Sequence, residues 1–353
     1  MSVRVALDAR TLQGEPIGGV GRSTLGHVRN LVDRVEFTLL TDDRLPPIQP
    51  RRHLGLRQVP LRGPLSGRGA SWLQLAAPRF LRGFEGVFHC PFYGLPFRQP
   101  VPMVATIHDI TFEQHRDWFP RERGIALRVQ ARTAARRAAR ILTPSEHTRR
   151  EVIEHYRLAE ERVVTAWNLL EPEYRDAPPA PTGIPGTEGR YVVAMGGAWR
   201  RGIDLLLDAW PAIRAGAPDI GLVLVGHDGH DLPDGVRAAG ALDDEAWRAV
   251  LGGAELLCYP TRHEGFGYPA LEAAALGTPV VASSVGALTE VLEGAAEWIP
   301  SLDASGVAAA VLRTLHDADR RAELAAAGRA RARAFDDATV SDAVLRAYEA
   351  AAG

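Results

Sequence analysis

Apolar residues in this chain fall into two kinds of segment. Short apolar runs bounded by turn residues occupy residues 3–7, 35–40, 86–90, 103–107 and 163–168, and at 141–146 a strand meets a helix. Runs of that length read as strands buried on both faces. Between them lie stretches with helical spacing: one follows Ile17-Gly18-Gly19-Val20-Gly21-Arg22-Ser23 and continues through Leu31, and another covers residues 121–140. The same alternation restarts at residues 191–195 and continues through strands at 220–225, 255–259 and 280–283. Helices are expected from Ile203 to Trp210, from Leu271 to Leu276 and over residues 303–316. Strand alternating with helix predicts an α/β protein built on parallel sheets. Residues 176–189, DAPPAPTGIPGTEG, interrupt the pattern and read as a linker. The expected division is therefore a first domain at 1–175 and a second at 190–336. Residues 44–70 carry little pattern, and residues 72–82 mix apolar positions with Arg79 and Arg82. That second stretch reads either as a surface helix packing inward or as a basic amphipathic segment lying on a membrane.

The bulk numbers fit this picture. A chain of 353 residues exceeds one usual core. Hydrophobic content of 46% and charged content of 24% suit a globular protein, and no run of eighteen apolar residues suggests a membrane span. The first residues read as a strand rather than a leader. Cys90 and Cys258 fall in different domains within apolar surroundings, so free buried thiols and a reducing cytoplasm are expected. Lysine is absent, and every basic residue is arginine. Residues 1–175 hold 27 Arg against 18 acids, a net of +9, whereas the remainder is acidic. A basic half invites an anionic partner, although nothing resembles a nucleic-acid module.

Chemistry concentrates in His263-Glu264-Gly265-Phe266-Gly267-Tyr268-Pro269-Ala270-Leu271-Glu272 and the following Ala273-Ala274-Ala275-Leu276-Gly277-Thr278-Pro279. The reading is loop, helix, loop, strand. Gly265 and Gly267 let the backbone approach a ligand, Pro269 suits a first helical turn, and Gly277 ends the helix. Free N–H groups of such a loop and helix start favour a diphosphate. Two carboxylates flank the site, a poor arrangement for bare phosphate but a good one for sugar or ribose hydroxyls. A second strand, glycine turn and helix follows at Gly196-Gly197-Ala198-Trp199-Arg200-Arg201-Gly202, where cations can neutralise a leaving diphosphate.

Glu264 and Glu272, separated by seven residues within EGFGYPALEAAALGTPVVAS, resemble the signature of retaining glycosyltransferases of family 4. That resemblance implies the GT-B fold, two Rossmann-like domains facing across a cleft, with a tail (337–353) that crosses back to the first. It implies that Glu264 contacts the donor sugar, that Gly265, Phe266 and Gly267 offer N–H groups to the diphosphate, and that Glu272 holds ribose hydroxyls. Arg201, standing where the family has lysine, becomes the phosphate clamp with Arg200 beside it. Gly197 departs from the usual Arg or Thr, and arginine is no simple substitute for lysine. Gly19 and Gly21 would leave room for the donor, and Leu242 lies in the stretch that meets the nucleobase.

The string VATIHDITFEQHRDWFP resembles the family's segment with an active-site histidine, so His108 is expected on the donor and acceptor side, with Asp109 orienting it or the loop. Ser145 and Asp243 are expected helix caps. Arg128, Arg132, Arg136 and Arg140 recur every four residues, as a solvated face or as a contact for an anionic acceptor or lipid. His227, Asp228, His230 and Asp231 could suggest a metal, but no second ligand cluster accompanies them. The expectation is a metal-independent hexosyltransferase without cofactor, cytoplasmic or peripheral at the inner membrane face. Its donor would be a nucleoside-diphosphate sugar and its acceptor a hydroxyl of a glycan, glycolipid or small-molecule natural product, with an anionic or membrane-associated acceptor as one option. A GT-B nucleotide-sugar epimerase and a silent nucleotide-sugar-binding protein remain as alternatives.

Overall fold

The structure is a computed structural model that describes every residue except 1, 15–16, 50–51, 53, 64–70, 177–181, 198, 228, 230 and 336–337. The core of the expected linker and half of the His/Asp run therefore lie outside the described residues. The chain forms two compact units, Met1–Leu169 with Asp337–Gly353, and Leu170–Asp336.

In the first unit the strands are β1 (Val3–Asp8), β2 (Val35–Asp42), β3 (Arg57–Leu61), β4 (Val87–Cys90), β5 (Met103–Thr106), β6 (Arg140–Thr143) and β7 (Val163–Thr165). They form one sheet in the order β3-β2-β1-β4-β5-β6-β7, and every pairing is parallel. Successive side chains of a strand point to opposite faces. Ala6, Leu40, Phe88, Ala105 and Ile141 accordingly join one core cluster, and Val5, Leu39, Val87, Val104 and Leu142 join the other. Into the second cluster the helix Asp342–Ala352 inserts Val344, Leu345 and Tyr348.

The second unit repeats the plan with β8 (Tyr191–Met195), β9 (Gly221–Val225), β10 (Val236–Gly240), β11 (Leu256–Tyr259), β12 (Val280–Ser283) and β13 (Glu297–Ile299). Their order is β10-β9-β8-β11-β12-β13, again parallel throughout. Each sheet reverses its order once, between β1 and β4 and between β8 and β11. Two Rossmann-like parallel sheets of this kind are the two domain types that the GT-B fold is built from. Ligands in such sheets collect outside the carboxyl ends of the strands at that reversal.

Several elements differ from the sequence reading. β3 arises in the stretch without pattern: it is an edge strand, largely exposed, and carries Pro60. The helix expected over 121–140 ends at Arg137, so Arg140 belongs to β6 and leaves the arginine stripe. Of the rest of that stripe, Arg132 forks onto buried Glu113 at 3.0 Å and Arg128 donates to the Phe112 carbonyl. In the 72–82 segment Trp72, Leu73 and Leu81 are buried, the inward-packing arrangement, while Leu75 stays half exposed. No described helix is long and apolar enough to cross a membrane.

Candidate functional site

At the reversal of the second sheet two loops meet, one after β8 and one after β11. The β8 loop turns at Gly197 (φ +104°) and passes through a short turn, Trp199–Arg201. It enters the helix Ile203–Gly216 at Gly202 (φ +68°), where a Cβ would stand 2.0 Å from the Pro260 carbonyl. Only glycine fits there. The β11 loop then laces onto it. Arg262 N–H donates to the Arg200 carbonyl at 2.7 Å, and Thr261 Oγ1 donates to the same carbonyl at 3.0 Å. The Arg262 guanidinium forks onto Asp204, donates to the Trp199 carbonyl and lies 3.9 Å from the Trp199 ring centroid. Bidentate Arg–carboxylate pairing of this kind fixes geometry as well as charge. The two loops are thus one framework.

Arg201 and Glu264 stand on that framework. Arg201 donates from Nη1 to the Gly196 carbonyl at 2.8 Å, and its buried Nε has no hydrogen-bond partner among the described residues. A buried guanidinium N–H without a partner is costly and calls for an oxygen acceptor, which a water or an anion can supply. Glu264 is buried, and Tyr259 donates to its Oε1 at 2.6 Å. The Tyr259 phenol is pushed well above its ordinary range, by burial first and by the Glu264 charge second, with Arg201 and Arg200 opposing. Both arginines therefore lie within electrostatic reach of the Tyr259–Glu264 pair.

Gly267 (φ +96°) starts the helix Tyr268–Leu276, which has Pro269 in its first turn. A Cβ on Gly267 would meet Leu288 at 2.4 Å. Phe266 turns its ring inward against Tyr268 and Phe335. Glu272 lies one turn further and is fully buried, its Oε2 accepting from the Trp247 indole at 2.6 Å. Trp247 belongs to the helix Asp244–Gly253, capped by Asp243 and preceded by half-buried Leu242. The structure thus brings Arg200, Arg201, Leu242, Glu264, Gly265, Phe266, Gly267 and Glu272 into one unit.

Gly19, Gly21, His108 and Asp109 belong to the first unit. Gly19 opens the helix Gly19–Leu31. The space beside Gly21 is filled by the chain itself, since a Cβ there would stand 2.3 Å from the Thr11 carbonyl. His108 follows β5 with Nε2 2.8 Å from the Pro91 carbonyl, and Asp109 accepts from Thr111 N–H, holding the loop. Burial lowers the His108 pKa. His27, His89 and His108 line a cavity of about 20 Å³ with Ser23, Thr106 and Tyr348. That is room for about one water molecule. His89 bridges Tyr348 and Thr106 at 2.7 and 2.9 Å, and His27 lies 3.1 Å from Ser341 Oγ. Burial, with the charges of neighbouring imidazoles second, lowers His27 to about 4 and His89 to about 3.

The sequence reading missed Tyr259, Trp247, Arg262, His27 and His89. Tyr259 ends an otherwise apolar strand, a polar tip at a carboxyl end, which is a usable signal. The others act through partners distant in sequence. Of the suggested metal ligands, Asp228 and His230 lie outside the described residues, and His227 Nδ1 accepts from Gly229 N–H. Cys90 and Cys258 are free and buried.

Comparison with known proteins follows the same two halves. Residues 17–174 match the family described as Glycosyltransferase Family 4, and residues 189–317 match Glycosyl transferases group 1. A phosphatidyl-myo-inositol mannosyltransferase of Mycolicibacterium smegmatis is 34% identical over 179 residues, 47% of this chain and 46% of that one. The matched region thus spans about half the length of that relative. An O-antigen chain mannosyltransferase B of Escherichia coli is 28% identical over 286 residues, 74% of each chain. Among solved structures, Anabaena Alr3699/HepE in complex with UDP and glucose superposes with a TM-score of 0.72 at 17% identity, covering 98% of both chains.

Proposed function

Since the chain belongs to the family 4 glycosyltransferases, we propose that it moves a hexosyl group from a nucleoside-diphosphate sugar to a hydroxyl, with retention at the anomeric carbon. One observation carries the reading: buried Glu264 and the partly unsatisfied guanidinium of Arg201 share a single framework at the reversal of the second sheet. The relatives named for mannosyl transfer and the neighbour holding UDP and glucose support the donor class.

In this reading the β-phosphate lies against Arg200, Arg201 and the loop N–H groups, which take up its charge as the bond to the anomeric carbon breaks. The acceptor oxygen attacks from the same face, and its proton passes to the departing phosphate. Glu264 holds the donor sugar, Glu272 the ribose and Leu242 the base. His108, with Asp109 fixing its loop, serves the sugar and the acceptor. Transfer proceeds without a metal, so excess EDTA leaves the rate unchanged. The acceptor is anionic or membrane-borne, consistent with the basic first half and exposed Arg136 and Arg137.

The test is turnover of UDP-, GDP-, dTDP- and ADP-sugars by wild type and Glu264→Gln. One donor should release nucleoside diphosphate with wild type, and the variant should lose at least 100-fold in rate while folding normally. An epimerase would convert the donor alone, and a silent binding protein would bind it without release.

A further inference from the structure

Tyr259 is fully buried on β11, a strand paired on both sides by β8 and β12, with Tyr259 opposite Ala282. A buried phenol needs a hydrogen-bond partner, and a backbone carbonyl usually serves. Tyr191, on the neighbouring strand, does this by donating to the Val250 carbonyl. Tyr259 instead donates to the carboxylate of Glu264, five residues on, at 2.6 Å. That is the short range for a charge-assisted bond. It is the one hydrogen bond of the Glu264 side chain among the described residues, and it leaves Oε2 as the oxygen open to a ligand. The main chain of Glu264 is held as well: Ala287 N–H donates to its carbonyl at 3.0 Å, and Gly286 packs against it.

We infer that Tyr259 is a positioning residue of the transfer reaction, locking Glu264 through Oε1 so that Oε2 meets the donor sugar in a fixed orientation. The inference rests on the proposed transferase reading. Burial keeps the phenol protonated, so it stays a donor across the neutral range. A rigid strand, a short bond and a braced loop together remove the rotamer freedom that a glutamate at a loop start would otherwise have. Because the benefit arises at the reacting geometry, its loss should lower kcat more than donor affinity.

The experiment is a double-mutant cycle on the full chain, with the donor that wild type turns over. Tyr259→Phe keeps the ring and removes the hydroxyl. It should lower kcat about tenfold to 100-fold, with KM for the donor changed less than about threefold. In the Glu264→Gln background the same substitution should change the residual rate less than about threefold. Wild-type kinetics for Tyr259→Phe, or an equal loss in both backgrounds, overturns the inference and leaves Tyr259 a packing residue. Should Tyr259→Phe not fold, 4-fluorophenylalanine at position 259 fills the place of the hydroxyl but cannot donate. A kcat indistinguishable from wild type then overturns the inference. A wild type that turns over none of the four donor classes removes the transferase reading itself and the inference with it; an active wild type indifferent to position 259 removes the inference alone.

Discussion

The indole of Trp247 donates to the fully buried Oε2 of Glu272 across 2.6 Å, tying the helix that follows Leu242 to the helix that follows Gly267. A carboxylate at 0% exposure depends on such donors. Trp247→Phe removes the N–H while nearly preserving the volume. The expected cost is about 1.5–3 kcal/mol for a hydrogen bond to a charged group. The variant should show a lowered Tm in calorimetric scanning and weaker nucleoside diphosphate binding in titration. Unchanged stability and affinity would mean that Glu272 is held by other means.

Gly286 braces the Glu264 loop in a way no other residue can. Its φ is +55°, and a Cβ would stand 2.3 Å from the Glu264 carbonyl oxygen. Gly286→Ala must therefore displace the main chain of Glu264. Activity should fall at least tenfold, and Tm should drop by several degrees. Gly294 also has positive φ (+71°) but open space around it, so Gly294→Ala serves as the control for backbone strain without a clash.

The paired histidines of the first unit set its acid sensitivity. Folding lowers His27 from 6.5 to about 4 and His89 from 6.5 to about 3. Below pH 6.5 the unfolded chain takes up protons that the folded unit refuses, so stability falls as pH falls. The loss runs from about pH 6.5 to 4 for His27 and on to 3 for His89, each approaching about 1.4 kcal/mol per pH unit within its window. Because His89 holds Tyr348 and His27 holds Ser341, the helix Asp342–Ala352 should be the first element to lose protection. Hydrogen exchange of that helix at pH 7 and pH 5, corrected for the slower intrinsic exchange at acid pH, checks this: its protection factors should fall at pH 5, and His27→Gln should reduce the difference.

Much of this architecture is legible in the residues because parallel strands buried on both faces are apolar runs with little else in them. Residues 3–7, 103–107 and 280–283 state their role outright. β3 does not, because an exposed edge strand with a proline carries no burial signal. The site divides in the same way. Glu264, Gly267 and Glu272 share one local loop and helix, whose backbone requirements glycine and proline announce. Tyr259 and Trp247 act through hydrogen bonds that exist only after β11 and the helix Asp244–Gly253 have been laid beside that motif. Gly21 is instructive in another direction: its missing side chain serves the close approach of the Thr11 carbonyl, a packing need that a glycine-rich turn does not distinguish from room for a ligand.

The claim on which the account turns is that a diphosphate is gripped by Arg201 beside the loop of Glu264. Calorimetric titration of UDP, GDP, dTDP and ADP into wild type and Arg201→Ala tests it directly. The account predicts that one nucleotide binds wild type and loses at least tenfold in affinity with the variant, with Arg201→Lys falling between, since lysine keeps the charge but not the fork. Equal affinity of wild type and Arg201→Ala, or no binding of any of the four, contradicts it.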